Sequence, residues 1–409
     1  MMEKWKEYKF SEIADFPPKI KMEKGEEYPF VLMDEVDAGF KYVRASFTKK
    51  YNGSGAKFEN GDTLFARITP SLENGKIAQI KDIDKPAFGS TEFFVFRGKK
   101  DVSDSDFIYY LSKTDWFRQN AINSFVGASG RQRADTKFVG KTKLTVPLLP
   151  TQRKIANILS AYDDLIENNL KRIKLLEEMA QKTYEEWFIR FKFPGHETVV
   201  FDEETRLPEG WARTQIGNLV DFQNGYAFKS SIYTKGAKYK IVTIRNVQDG
   251  MFIPKVTDTI SKKPTNLKDY HLLNTGDIIM SLTGNIGRIC LVYGNDYLLN
   301  QRVAKLKPRK EIYQSFVYCH FRNKYTLKVL ENISNGAAQQ NLSPVNASKQ
   351  RFVVATDECL TKFNRIVKPF IVTISTLNLQ NQNLKEARDI LLPRLMAGMI
   401  DVEKLELKL

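Results

Sequence analysis

Residues 155–187 read IANILSAYDDLIENNLKRIKLLEEMAQKTYEEW, and residues 363–395 read FNRIVKPFIVTISTLNLQNQNLKEARDILLPRL. In the first stretch, steps of four and three pick out Ile155, Leu159, Tyr162, Ile166, Asn169, Ile173, Leu176, Ala180, Thr183 and Trp187. The same phase in the second stretch gives Phe363, Val367, Phe370, Ile374, Leu377, Asn381, Leu384, Arg388, Leu391 and Leu395. A four-three repeat keeps one helical face aligned at about 3.5 residues per turn, which is a coiled-coil seam. A single amphipathic helix packs equally well on its own domain. Two seams in one phase favour pairing with each other.

Either orientation is open, and the antiparallel one makes residue-level expectations. Ile155 faces Leu395 and Trp187 faces Phe363. Asn169 meets Asn381 as a polar layer that pins register, Ala180 meets Phe370, and Tyr162 meets Arg388 in a cation–π contact. Bodies attached at the starts of two such helices lie at opposite ends of a rod about 48 Å long, at ~1.5 Å per residue.

Outward from the helices, the chain repeats itself. Trp5-Lys6-Glu7-Tyr8-Lys9-Phe10 matches Trp211-Ala212-Arg213-Thr214-Gln215-Ile216. Tyr28–Met33 matches Tyr239–Ile244, both reading as buried strands. Gly61-Asp62-Thr63-Leu64-Phe65 matches Gly276-Asp277-Ile278-Ile279-Met280, a turn launching a β-rich segment. Gly127–Arg133 aligns with Gly336–Leu342. Four matches in one order, each half ending in the same helical pattern, indicate duplication. The expected domains are 1–150, a helix over 151–190, a linker over 191–207, a second domain over 208–357, a helix over 358–398 and a tail over 399–409.

The chain has 409 residues, with 63 Lys plus Arg against 48 Asp plus Glu, for a net charge of +15. That surplus is the footprint of a phosphate-binding protein, although lysine also serves plain solubility. The start, MMEKWKEYKF, has no apolar stretch behind its charges, and no apolar run has bilayer length. Three scattered cysteines, Cys290, Cys319 and Cys359, fit a reduced, cytoplasmic protein without a membrane partner.

Catalytic signatures are missing. The glycines of Gly127 to Gly130 lack the Lys-Ser or Lys-Thr of a P-loop, and no Asn-Pro-Pro-aromatic or Asp-Pro-Pro-aromatic tetrapeptide occurs. Cys319-His320 has no second cysteine at zinc spacing, so no metal site is expected. Asp202, Glu203 and Glu204 read as a solvated run in the linker.

Local motifs then carry a resemblance. Pro147-Leu148-Leu149-Pro150-Thr151-Gln152-Arg153-Lys154-Ile155 resembles the Pro-x-x-Glu-Gln-x-x-Ile opening of the central helix in type I restriction-modification specificity subunits, with Thr151 where an acid is commoner. Phe193–Glu197 followed by Leu207–Trp211 is similar to that family's linker, and Leu392–Gly398 to its C-terminal helix ending. Gly61-Asp62 and Gly276-Asp277 are similar to its Gly-Asp-Ile-Leu strand opening. The resemblance implies an α/β (α+β) fold: two target-recognition domains joined by two long antiparallel coiled-coil helices, with pseudo-twofold symmetry. It also implies a non-catalytic role. Two modification subunits would bind S-adenosylmethionine and methylate adenine, restriction subunits would use ATP and Mg, and this chain would bind no cofactor.

On that reading the partner is double-stranded DNA with an asymmetric, two-part target. Ser129, Arg131, Gln132 and Arg133, against Gln339, Gln340 and Asn341, are the candidate base readers, because Arg suits guanine and Gln or Asn suits adenine. Arg67, Lys76, Arg118, Lys137 and Lys141 in the first half, and Lys229, Arg245, Arg288 and Arg302 in the second, are candidate phosphate contacts. Tyr226 and Phe228 sit where the resemblance implies a variable contact segment, although aromatics there serve a core equally well. Two other readings stay open: a stand-alone DNA-binding protein, and a fused enzyme that would need the motifs found missing.

Overall fold

Gly61-Asp62 and Gly276-Asp277 open the same construction twice. Gly61 has φ +85° and Gly276 φ +92°, and no atom lies within 4 Å of an added Cβ at either, so backbone conformation alone asks for glycine. Each following carboxylate closes its own turn: Asp62 Oδ2 accepts from Glu59 N and Asp277 Oδ2 from Asn274 N, both at 2.8 Å. Each then receives a cation from the neighbouring strand, Arg97 Nε at 2.6 Å on Asp62 and Lys305 Nζ at 2.7 Å on Asp277. The two strand starts are thus locked by charge in the same way.

The structure is a computed structural model describing residues 5–334 and 341–404. It divides into two units, residues 1–168 with 381–409, and residues 169–380. In the first unit a five-stranded sheet runs in the order Ala14–Asp15, Phe93–Gly98, Thr63–Ala66, Ile77–Ile80, Tyr42–Val43. A second sheet runs Phe47–Lys50, Glu27–Val31, Ala87–Gly89, Ala56–Phe58. The second unit has the matching pair: Val220–Asn224, Val303–Pro308, Ile278–Ser281, Ile289–Leu291, and Thr259–Ile260, Tyr239–Val242, Tyr297–Leu299, Leu272–Leu273. In both, one pair of the second sheet is parallel, Phe30 beside Phe88 and Ile241 beside Leu298.

Two helices follow the sheets in each unit, Ser105–Lys113 with Asp115–Asn123, and Gln314–Arg322 with Lys324–Asn332. Asp104 and Thr114 cap the first pair by accepting from the backbone N–H three residues on. The first and last strands of each repeat then pair antiparallel, Lys6 with Val146 and Ala212 with Val354. Edge-to-face rings fill the first core, Phe10 lying 4.8 Å from Phe96, and Phe188 lies 5.0 Å from Phe316 in the second.

Two sequence expectations change. Tyr28–Met33 and Tyr239–Ile244 are only half-buried at their starts, and the strands end at Val31 and Val242. Short 3-10 turns take over at Met33 and Ile244, because Glu35 and Asn246 side chains accept from the Leu32 and Thr243 backbone N–H groups and curl the chain. The repeat also aligns one residue differently. Arg133 bridges to Ile68, and Asn341 to Thr283, so Arg133 corresponds to Asn341 and not to Leu342.

The long helices span Leu149–Tyr184, extended by a π-helical turn over Glu185–Ile189, and Asp357–Met396. In the first unit Ile155, Leu159, Leu391 and Leu395 share one apolar core, and Ile166 is buried while Leu384 is half-buried. In the second, Ile173, Leu176, Ala180, Trp187, Phe363, Val367, Phe370, Ile374 and Leu377 share another, with Trp187 5.6 Å from Phe363 as the antiparallel register assigns. Asn169 and Asn381 are both buried.

The Tyr162 expectation fails. Tyr162 is half-buried, and Arg388 pairs instead with Asp163, which is buried and also accepts from Tyr110 Oη at 2.5 Å. A carboxylate satisfies a buried guanidinium with charge-assisted hydrogen bonds, which outweighs the face of a ring. Among the described residues no helix is long and apolar enough to cross a membrane.

Candidate nucleic-acid interface

Several of the residues singled out in the sequence gather at one end of the main sheet of each unit, whereas Lys141 ends a helix that lies against Phe10–Ile13 at the other end of strand Phe93–Gly98. In the first unit Arg67 follows Thr63–Ala66, Glu92 precedes Phe93–Gly98 and Lys76 precedes Ile77–Ile80. The backbone joins them: Arg67 N donates to Glu92 O at 2.9 Å and Ala66 N to Lys76 O at 3.0 Å. In the second unit Leu282 N donates to Arg302 O and Ser281 N to Arg288 O, both at 2.9 Å. Arg302 therefore corresponds to Glu92, and Arg288 to Lys76.

The candidate reading loop is the tip of a two-stranded hairpin, Phe125–Val126 against Arg133–Ala134. Its stem is fixed to the sheet end by Ala134 N donating to Arg67 O at 2.8 Å, and by Thr69 N donating to Gln132 O at 3.0 Å. Left-handed Gly127 and Gly130 bend the tip, leaving Ser129 and Arg131 exposed and Gln132 half-buried. In the second unit Leu342 N donates to Leu282 O at 2.8 Å, the same anchorage, and Asn341 is exposed. Gln339 and Gln340 lie outside the described residues.

Several cations at this end are already engaged. Arg133 makes a fork to Glu92, Lys76 Nζ donates to Met33 O at 2.9 Å, Arg288 Nη1 to Gln248 Oε1 at 2.8 Å, and Arg118 Nη2 to Glu73 O at 3.1 Å. The Glu92 hydrogen bonds hold the Arg133 guanidinium pKa above its ordinary value. Lys137, Lys141, Lys229, Arg245 and Arg302 are exposed. Arg67 is half-buried, its guanidinium 4.8 Å from the Phe94 ring centre.

Tyr226 is part of a hydrophobic cluster with Phe228, their rings 4.9 Å apart, and its hydroxyl donates to Asn266 Oδ1 at 2.7 Å. Core packing explains Phe228 fully. Tyr226 also bridges to Asn300 beside Arg302, which places it at the same sheet end. Glu92 escaped the sequence reading, since nothing near it in the chain marks it as the partner of a residue 41 positions later.

Comparison with known proteins matches this architecture. A family model described as type I restriction modification DNA specificity domain matches residues 2–178 and again 208–392. The MjaIX specificity subunit of a type I restriction enzyme from Methanocaldococcus jannaschii is 27% identical over 95% of this chain and 90% of its own length. The HindI specificity subunit from Haemophilus influenzae is 24% identical over 98% of this chain and 100% of its own. The solved S subunit of a type I restriction-modification system from M. genitalium shares the fold, with a TM-score of 0.56, 15% identity and coverage of 96% of both chains. With two matched copies that fill most of its length, the chain belongs to the type I restriction modification DNA specificity domain family, the DNA-recognition and non-catalytic part of type I restriction enzymes.

Proposed function

We propose that this chain reads an asymmetric, two-part DNA target, one part by each recognition domain, and places two modification subunits and the restriction subunits of a type I complex upon it. Its partners supply the chemistry. S-adenosylmethionine, ATP and Mg belong to them, and this chain holds none. It works in the cytoplasm, where Cys290, Cys319 and Cys359, all buried, stay as free thiols.

One observation carries the reading: the same sheet end, with the same backbone anchorage, is built twice and furnished differently. Arg133 over Glu92 in one unit stands where Asn341 and Arg302 stand in the other. A shared scaffold with unlike side chains suits two unlike half-sites. Adenine methylation also needs the base out of the stack, so a partner must grip the duplex while the enzyme reaches the flipped nucleotide.

Sequencing methylated adenines in a host that expresses this chain with its modification subunit tests the proposal. A gapped motif with two different halves is expected. Methylation by the purified chain alone, or a single uninterrupted motif, would remove it.

A further inference from the structure

In the first unit a cleft of about 660 Å³ opens beside the hairpin and is lined by Lys19, Lys21, Lys57, Arg67, Phe94 and Thr136 among others. No carboxylate of the described residues lines it. Other cations of the unit do meet acids, Arg44 with Asp82, Arg97 with Asp62 and Arg133 with Glu92 among them. The four cations of the cleft have no acidic partner among the described residues. Among the described residues Lys57 Nζ has only the Ile20 carbonyl, at 3.3 Å, and the face of Tyr51. Arg67 Nε is buried with no hydrogen-bond partner, its guanidinium held on the Phe94 ring.

These charges come from three separate chain segments, so the cleft presents a row and not a point. Pro18 and Ile20 are buried while Lys19 and Lys21 are exposed, an alternation that lifts both lysines to one face. Arg67 and Thr136 join the row to the reading loop, because Ala134 N donates to the Arg67 carbonyl two residues before Thr136. A cavity in the second unit, of about 570 Å³, is lined by Lys305 and Lys307 but also by Asp269 and Asp277, so its cations are offset by acids.

Resting on the DNA-reading role proposed above, we infer that the Lys19–Lys21–Lys57–Arg67 cleft carries the sugar-phosphate backbone flanking the half-site read by residues 127–133. An uncompensated row of ammonium and guanidinium groups beside a ring suits consecutive phosphodiesters and the sugars between them. The cleft then sets affinity and register without choosing bases.

Binding of the full chain, assembled with its modification subunit, to target and unrelated duplexes across a salt series tests this. Lys19→Gln with Lys21→Gln should weaken both duplexes alike, make the salt slope shallower by about 0.9 for each phosphate that is no longer neutralised, and leave the methylated sequence unchanged. Both lysines are exposed, so folding is not at stake; Arg67→Gln, which also loses its Phe94 packing, should act in the same direction. An unchanged slope in the lysine double variant, or an altered methylated motif, would overturn the cleft assignment alone. A native assembly that methylates no defined site would instead remove the DNA-reading role.

Discussion

Arg133 lays the edge of its guanidinium on Glu92, with Nε 3.0 and 2.9 Å from the two carboxylate oxygens and Nη2 2.7 Å from Oε1. The pair joins the stem of the candidate reading hairpin to the start of strand Phe93–Gly98, and in the second repeat its two places are taken by Asn341 and Arg302. A fork of this kind fixes a plane as well as a distance. Arg133 is thus a strut for the loop, and under the proposed DNA-reading role Arg131, exposed at the tip, is the freer of the two to meet a base.

Glu92→Gln is expected to leave the fold intact and to blur the first half-site, because the loop loses its orienting fork. Combining Glu92→Arg with Arg133→Glu should restore fidelity if the pair only positions. Methylated-site sequencing distinguishes the cases, since loss of the half-site in the swapped pair would show that Arg133 itself reads a base.

Arg131→Ala should cost about 1–3 kcal/mol of discrimination at one position of the first half-site and leave the second alone. Gln340→Ala should do the converse. Lys137→Ala should weaken all DNA binding and flatten its salt dependence. Unchanged methylated sites in both loop variants would show that the reading residues lie elsewhere.

Asp163 and Arg388 form an ion pair with side chains 1% and 5% exposed. Removing Asp163 leaves the buried Arg388 only the largely exposed Asp389, 2.8 Å from its Nη2, so Asp163→Ala should destabilise the first unit by at most about 3–5 kcal/mol. Replacing both with Leu and Met should cost clearly less. Chemical denaturation followed by a probe within residues 1–168 measures the difference, and equal losses in the single and double variants would contradict a paired buried charge.

His320 is fully buried, with Nδ1 2.8 Å from Tyr184 Oη, and burial pushes its pKa down from 6.5 to about 3. Above pH 6.5 neither the folded nor the unfolded form binds its proton. Between about 6.5 and 3 only the unfolded chain does, so stability falls with falling pH, by up to ~1.4 kcal/mol per pH unit. His320→Phe should flatten that stretch of the stability profile, and a profile as steep as that of the unaltered chain would show that other groups cause it.

Two links in this molecule were legible because they are local or periodic. A seam repeating every three or four residues shows in the chain before it folds, and Gly61-Asp62 and Gly276-Asp277 mark strand starts through backbone preference alone. The duplication was legible for the same reason, since each half carries its own copy of these signals.

What the sequence by itself determined is therefore the periodic scaffold: two like halves and two matched helices. Only tertiary structure decided which charges meet, giving Asp163 and not Tyr162 to Arg388, Glu92 to Arg133, and, among the described residues, no acid to Arg67. Helical and turn preferences act between near neighbours, whereas an ion pair depends on which strands are brought side by side, and no pattern along the chain encodes that distance.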